Sequence, residues 1–219
     1  MGIKPILFNT EMVKAILGGR KTQTRRLFKP HPVFSNDEFG APCRCDDGTF
    51  TFEIGPYRGI FDGVYTPPYD IGDILWVRET WVFDSGDEDY GTGCFMYKAD
   101  MPIHIDAKDT AHGDDVDITA EDYKWRPSIH MPKEAARIFL RVKDVRAEKL
   151  QDITAAGIRS EGLTSMCAFV GDMEIALPEW RNLWNSTIKK VDLPIYGWDA
   201  NPWVWVIEFE RCDMPEGWC

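Results

Sequence analysis

The sequence is short of the features that mark several large protein classes. It has no run of about 18 apolar residues, so no membrane-spanning helix is expected. Its opening, MGIKPILFNTEMV, meets polar residues too early for a secretory h-region, which makes the cytoplasm the expected compartment. Cations are outnumbered: 25 Lys and Arg face 36 Asp and Glu, a net charge of −11 and the wrong sign for a general binder of phosphate backbones. A nucleoside, a single flipped base, or nucleic acid held by one local basic patch stays compatible with that charge. Cysteine is scattered over Cys43, Cys45, Cys94, Cys167, Cys212 and Cys219. Cys43 and Cys45 are too close for a zinc knuckle and no second Cys/His pair follows at matching distance, so neither a metal site nor disulfides are expected. No internal repeat is visible.

What is present reads as a mixed α+β chain. At 219 residues and 44% hydrophobic content it can bury one sizeable core, and 1–219 is read as a single domain. Asn9–Leu17 has helical spacing at Met12, Val13, Ile16 and Leu17, with Thr10 as candidate cap and Gly18-Gly19 as stop. Strands are expected at Thr49–Ile54, Ile74–Trp81, Phe95–Ala99, Ile138–Arg146 and Trp203–Glu210. Leu150–Leu163 reads as helical, with Thr154 as N-cap of its later turn, and Pro178–Ile188 as an amphipathic helix. The stretches at about 31–69, 101–124 and 164–199 read as insertions on this core. Asp106–Asp122 carries seven acidic residues against Lys108 alone and is expected to be a solvated loop.

The run that carries chemistry is Gly19-Arg20-Lys21-Thr22-Gln23-Thr24-Arg25-Arg26, of the form G-x-K-x-x-T-x-R. A Thr hydroxyl is a weak nucleophile until a base stands beside it. A Lys serves as that base when burial or neighbouring cations depress its pKa, and Arg20, Arg25 and Arg26 are such neighbours. Strict strand alternation would send Lys21 and Thr24 to opposite faces, so sharing a pocket requires an irregular loop here.

Together with Gly72-Asp73-Ile74-Leu75-Trp76-Val77, the segment Leu150–Glu161 and the closing Val206-Ile207-Glu208-Phe209, this run resembles the ASCH family, a branch of the PUA-like β-barrel superfamily. Lys4-Pro5-Ile6-Leu7-Phe8, Leu75–Trp81 and Trp125–Pro132 resemble more closely the larger ASCH proteins of phages and prophages. The resemblance covers about half of the chain and implies a small β-barrel with flanking helices and long loop insertions. It also implies the activity of the N(4)-acetylcytidine amidohydrolases, which cleave the exocyclic amide of a modified nucleoside without metal or cofactor. The catalytic set it implies is Lys21, Thr24 and Glu161, with Glu79 as rival carboxylate.

Substrate-binding candidates are Arg26, as a fork of donors, and Trp76, Arg78, Glu79 and Trp81, in or beside the strand expected at the barrel mouth. His130 is a candidate lid residue. Trp76 and Trp81 are candidates for stacking on a base. Trp180, Trp184, Trp203 and Trp205 read as core. The alternative is a non-catalytic reader of RNA or of a modified base, gripping phosphates through Arg20, Lys21, Arg25, Arg26 and Lys29. Expected partners are therefore a modified nucleoside or nucleotide, or RNA or DNA through that patch, with no membrane.

Overall fold

A computed structural model describes residues 1–29, 39–54, 61–84, 93–105, 115–163 and 173–218. Its centre is a five-stranded mixed sheet in the order β1 (Ile3–Leu7), β6 (Ile74–Arg78), β11 (Phe139–Lys149), β12 (Trp203–Cys212), β2 (Gln23–Leu27). β1 runs parallel to β6, and the other neighbours are antiparallel. Three smaller sheets surround it: β3 (Phe39–Arg44), β4 (Phe50–Ile54) and β5 (Phe61–Tyr65); β7 (Trp81–Asp84) and β8 (Cys94–Tyr97); β9 (Ile103–Ile105) and β10 (Val116–Ile118). The helices are α1 (Thr10–Leu17), α2 (Ala155–Ser160), α3 (Met173–Ser186) and the single turn α4 (Leu193–Tyr196). None is long and apolar enough to cross a membrane.

The long strand β12 displays the logic of the core. Trp203, Trp205, Ile207 and Phe209 point to one face and join Ile6, Val13, Ile16, Leu75, Leu140 and Val142. Val204 and Val206 point to the other, where Trp180, Trp184, Leu150, Ile153 and Ile158 cover them. Alternation along a strand buried on both sides produces this split. Phe50 and Phe52 of β4 enter the first cluster, and Phe28 stacks on Trp205 with ring centroids 4.2 Å apart. β4 and Tyr65 thus supply part of the main core.

The central sheet is open among the described residues: β1 and β2 are its edges and do not pair. One side chain crosses the gap, the Arg26 guanidinium donating to the Leu7 carbonyl at 3.0 Å. The expected strand Ile74–Trp81 is divided at Glu79 and Thr80 into β6 and β7. Asn9, not Thr10, caps α1, its side chain accepting from Met12 N–H at 2.9 Å. Thr154 caps α2 as expected, accepting from Gly157 N–H at 3.1 Å. α3 begins five residues before Pro178, which stands inside it. Of the acidic run, Asp106, Asp109 and Asp114 lie outside the described residues, and Asp117 is in β10.

Candidate functional site

The basic run divides into two kinds of backbone. Arg20 and Lys21 stay outside regular structure, both N–H groups donating to the Ala15 carbonyl at the end of α1, while Thr22 N–H reaches the Ser160 carbonyl at the end of α2. From Gln23 the chain is a regular strand in register with β12, which corrects the expectation of an irregular loop through Thr24: Thr24 pairs with Ile207 and Arg26 with Trp205. As an edge strand, β2 turns alternate carbonyls away from β12. Two of these are met by side chains from the same run, Gln23 O by Lys21 Nζ at 2.9 Å and Arg25 O by Arg26 Nη1 at 3.2 Å.

Glu161 is delivered to this run by α2, whose C-cap it forms. The next residue, Gly162, has φ +93°, and a Cβ there would lie 2.8 Å from Ala15 Cβ and 3.0 Å from Lys21 Cβ. A glycine is required for the end of α2 to approach α1 and Lys21 this closely.

The result is a buried polar cluster built across 140 residues of sequence. Lys21 Nζ donates to Glu161 Oε2 at 2.8 Å and to the Glu161 carbonyl at 2.9 Å; with Gln23 O, these use all three ammonium protons. Arg25 Nη1 reaches Glu161 Oε1 at 3.1 Å, and Arg25 Nη2 reaches Glu148 Oε2 at 3.1 Å. Lys21, Thr24, Arg25 and Glu161 are all buried, Lys21 at 2% exposure and Glu161 at 3%. Burial pushes the Lys21 ammonium below the ordinary lysine pKa; Glu161 pulls it back up, and Arg26 and Arg25 push it further down. Thr24 Oγ1 accepts from Arg26 Nη1 at 2.9 Å. No hydrogen bond joins Lys21 to Thr24 among the described residues.

Thr24 and Glu161 open onto a cleft of about 590 Å³ between β2, α3 and the Thr66–Tyr69 segment, walled by Trp180, Trp184, Leu183 and Tyr69. That volume lies in the range of small-molecule sites. Arg25, Arg26 and Lys29 bring positive charge to it, with Lys29 Nζ 5.5 Å over the Tyr196 ring. Burial lowers the Arg26 pKa against the pull of Tyr69 and Glu161. A second cleft of about 490 Å³, lined by Arg20, Glu11 and Glu179, shares Glu161, Met12 and Leu183 with the first.

The structure brings Lys21, Thr24, Arg26 and Glu161 together. It does not bring Trp76, Arg78, Glu79, Trp81 or His130 to the cleft that Thr24, Arg26 and Glu161 line. Glu79, 1% exposed, is held bidentately by Arg137 at 2.9 and 3.1 Å, and Arg137 also binds Asp100 at 2.6 and 3.0 Å. Burial raises the Glu79 pKa, and Arg137 opposes the rise. Trp76 packs on Trp218 with the Arg78 guanidinium over its ring, and Arg78 donates to the Ile129 carbonyl. Trp81 is buried against Phe95 and Met131, so its ring offers no free face for a base. His130 is exposed at the end of a single turn, Ser128–His130.

The basic patch is also smaller than expected, because Lys21 and Arg25 are consumed by buried ion pairs and Arg20 lines the other cleft. Trp180, Trp184, Tyr69 and Glu148 were not identifiable as site residues from sequence. The four-residue spacing of the two tryptophans signals a buried helix face, but not that its rim borders a cleft. Among the described residues, no cluster of three or more His, Cys, Asp or Glu has the arrangement of a metal site, and Cys43, Cys45, Cys94 and Cys212 are outside any disulfide. No protein-family model, curated protein or solved structure matches this chain.

Proposed function

We propose that this chain is an ASCH-type member of the PUA-like superfamily and an amidohydrolase acting on an N-acylated pyrimidine nucleoside or nucleotide. The observation that carries the reading is the 2.8 Å contact between buried Lys21 and Glu161 at the wall of a cleft that Thr24 also lines. These are the three residues that the motif and the post-strand helix single out, and Glu161 arrives from 140 residues beyond Lys21.

In the proposed reaction the base enters between the aromatic walls and its acyl carbonyl meets Arg26, already 2.9 Å from the Thr24 hydroxyl. Substrate displaces water, and in the drier pocket the Lys21–Glu161 proton moves to the carboxylate, leaving a neutral amine and a carboxylic acid. The Lys21 amine exchanges its bond to the Gln23 carbonyl for one to Thr24 Oγ1 and takes its proton as oxygen attacks the acyl carbon. Catalytic hydrogen bonds of this kind commonly tighten only in the substrate complex. Glu161 protonates the departing exocyclic nitrogen, so the C–N bond breaks and an acyl-Thr24 ester remains. Water then cleaves the ester, releasing the carboxylic acid and returning the proton to Thr24.

The test is incubation with N(4)-acetylcytidine and measurement of cytidine release. Turnover is expected, with Thr24→Ala lowering it by about three orders of magnitude or more; full turnover by that variant removes Thr24 from the mechanism.

A second reading is favoured by one feature, the saturation of the Lys21 ammonium without a bond to Thr24. On that reading the cleft binds a modified base and does not hydrolyse it. Tight binding of N(4)-acetylcytidine with no product over long incubation selects it.

A further inference from the structure

We infer that the cleft recognises a phosphate as well as a base, and that its substrate class is the N-acylated pyrimidine 5′-monophosphate. The inference rests on the reading of the cleft as a nucleobase site and specifies what is attached to the base.

The argument is one of charge. Glu161 is the sole carboxylate among the described residues lining the cleft, and both of its oxygens are already taken, one by Lys21 and one by Arg25. The other side of Arg25 is met by Glu148. Arg26 and Lys29, which line the same cleft, have no carboxylate hydrogen bond among the described residues. Arg26 donates only to neutral oxygens, Thr24 Oγ1, Arg25 O and Leu7 O, so its charge is held in place but not neutralised. Lys29 is exposed, with only the Tyr196 ring as a described neighbour for its ammonium.

Two cations without anionic partners, in a chain of net charge −11, make a local positive site in a negative field. The ligand that completes it sets an anion at Lys29, leaves Arg26 to the acyl carbonyl, and carries a flat ring able to lie against Trp184 or Tyr69. A polynucleotide is disfavoured, because its flanking phosphates would meet the acidic remainder of the surface. A cleft of about 590 Å³ suits a single nucleotide.

The experiment is calorimetric binding of cytidine, cytidine 5′-monophosphate, inorganic phosphate and a short oligocytidine to the intact protein, at low and high salt. The same set is measured with Lys29→Gln, a surface change expected to leave folding intact. Cytidine monophosphate is expected to bind about tenfold more tightly than cytidine at low salt, with inorganic phosphate competing for it. That ratio is expected to shrink with salt and to fall to about threefold or less in Lys29→Gln. Equal affinities for nucleoside and nucleotide, or a ratio that Lys29→Gln leaves intact, overturn the inference. Oligocytidine binding more tightly than the mononucleotide also overturns it, in favour of a strand. The measurement needs no turnover: a nucleotide preference keeps the phosphate site even if the separate N(4)-acetylcytidine assay shows no cytidine release, which ends the amidohydrolase reading alone. Failure of every cytidine ligand to bind ends the inference, and N(4)-acetylcytidine turnover then decides the amidohydrolase reading separately.

Discussion

Glu161 and Glu79 are both buried carboxylates held by cations, and the contrast between them separates a candidate reaction centre from a fastener. Arg137 closes on Glu79 with two parallel hydrogen bonds and turns its remaining donors to Asp100, with the Tyr97 ring 3.8 Å from its guanidinium carbon. Two carboxylates there share one guanidinium through four hydrogen bonds, and no described cleft reaches the group. The network ties the turn after β6 to the loop preceding β11 and to the segment after β8. Around Glu161 the balance differs: Lys21, Arg25 and Arg26 share its field, a hydroxyl stands beside them, and the assembly borders a cavity large enough for a ligand. Burial of an ion pair is therefore not what marks a site. A cluster with cations in surplus that opens onto space, with a group able to react, is.

The sharpest way to break this contrast is to neutralise each carboxylate in turn. Glu161→Gln is expected to reduce cytidine release from N(4)-acetylcytidine by about a hundredfold or more. Glu79→Gln is expected to leave turnover per folded molecule within about twofold. Equal losses measured on folded protein would erase the distinction. Next in size is stability. Arg137→Ala strands Glu79 as an uncompensated buried group and is expected to cost about 3–5 kcal/mol in denaturant unfolding, among the largest losses for any one ion pair here.

A third comparison uses a carboxylate whose pKa moves the other way. Burial alone would raise Asp73, but hydrogen bonds from Lys4 and from Asp70 and Gly2 N–H outweigh it and hold the group below the ordinary aspartate value. A depressed folded pKa means stability that is present above the unfolded value of 3.8 and lost as pH falls through the folded one. Asp73→Asn is expected to cost about 1–2 kcal/mol at pH 7. The gap to the parent protein should close as unfolding is measured at progressively lower pH, below about 4. A gap independent of pH would mean that Asp73 acts by shape and not by charge.

The smallest effect sharpens the link between α2 and the site. Thr154→Ala removes the cap of the helix that carries Glu161 and is expected to cost about 1 kcal/mol. If α2 positions the carboxylate, the same variant lowers turnover several-fold; unchanged turnover would show that Gly162 and the Thr22–Ser160 backbone bond hold Glu161 without the cap.

Much of this molecule was legible locally. The period of apolar residues in 203–210 foretells a strand, and Thr154 foretells the start of α2. Lys21 and Thr24 stand out by residue type and spacing, because the proposed chemistry needs a base near a hydroxyl. The reading failed where local rules compete. Gln23–Leu27 is too polar to read as a strand, and pairing with β12 overrides its composition. Trp76, Trp81 and Arg78 were drawn into the site by sequence proximity to a strand end, and packing against Trp218, Met131 and Ile129 takes them elsewhere.

By itself, the sequence determined the alternating stretches, the approximate places of the helices, the Thr154 cap, the excess of negative charge, and the motif that carries Lys21 and Thr24. These depend on neighbours a few positions apart, where backbone geometry allows few choices. Tertiary structure alone decided that Glu161 and not Glu79 meets Lys21, that Arg25 is spent between two carboxylates, and that Arg26 and Lys29 are left facing a cleft. Those outcomes depend on contacts up to 140 residues apart, which follow from the order in which strands pair and from the close approach that Gly162 permits.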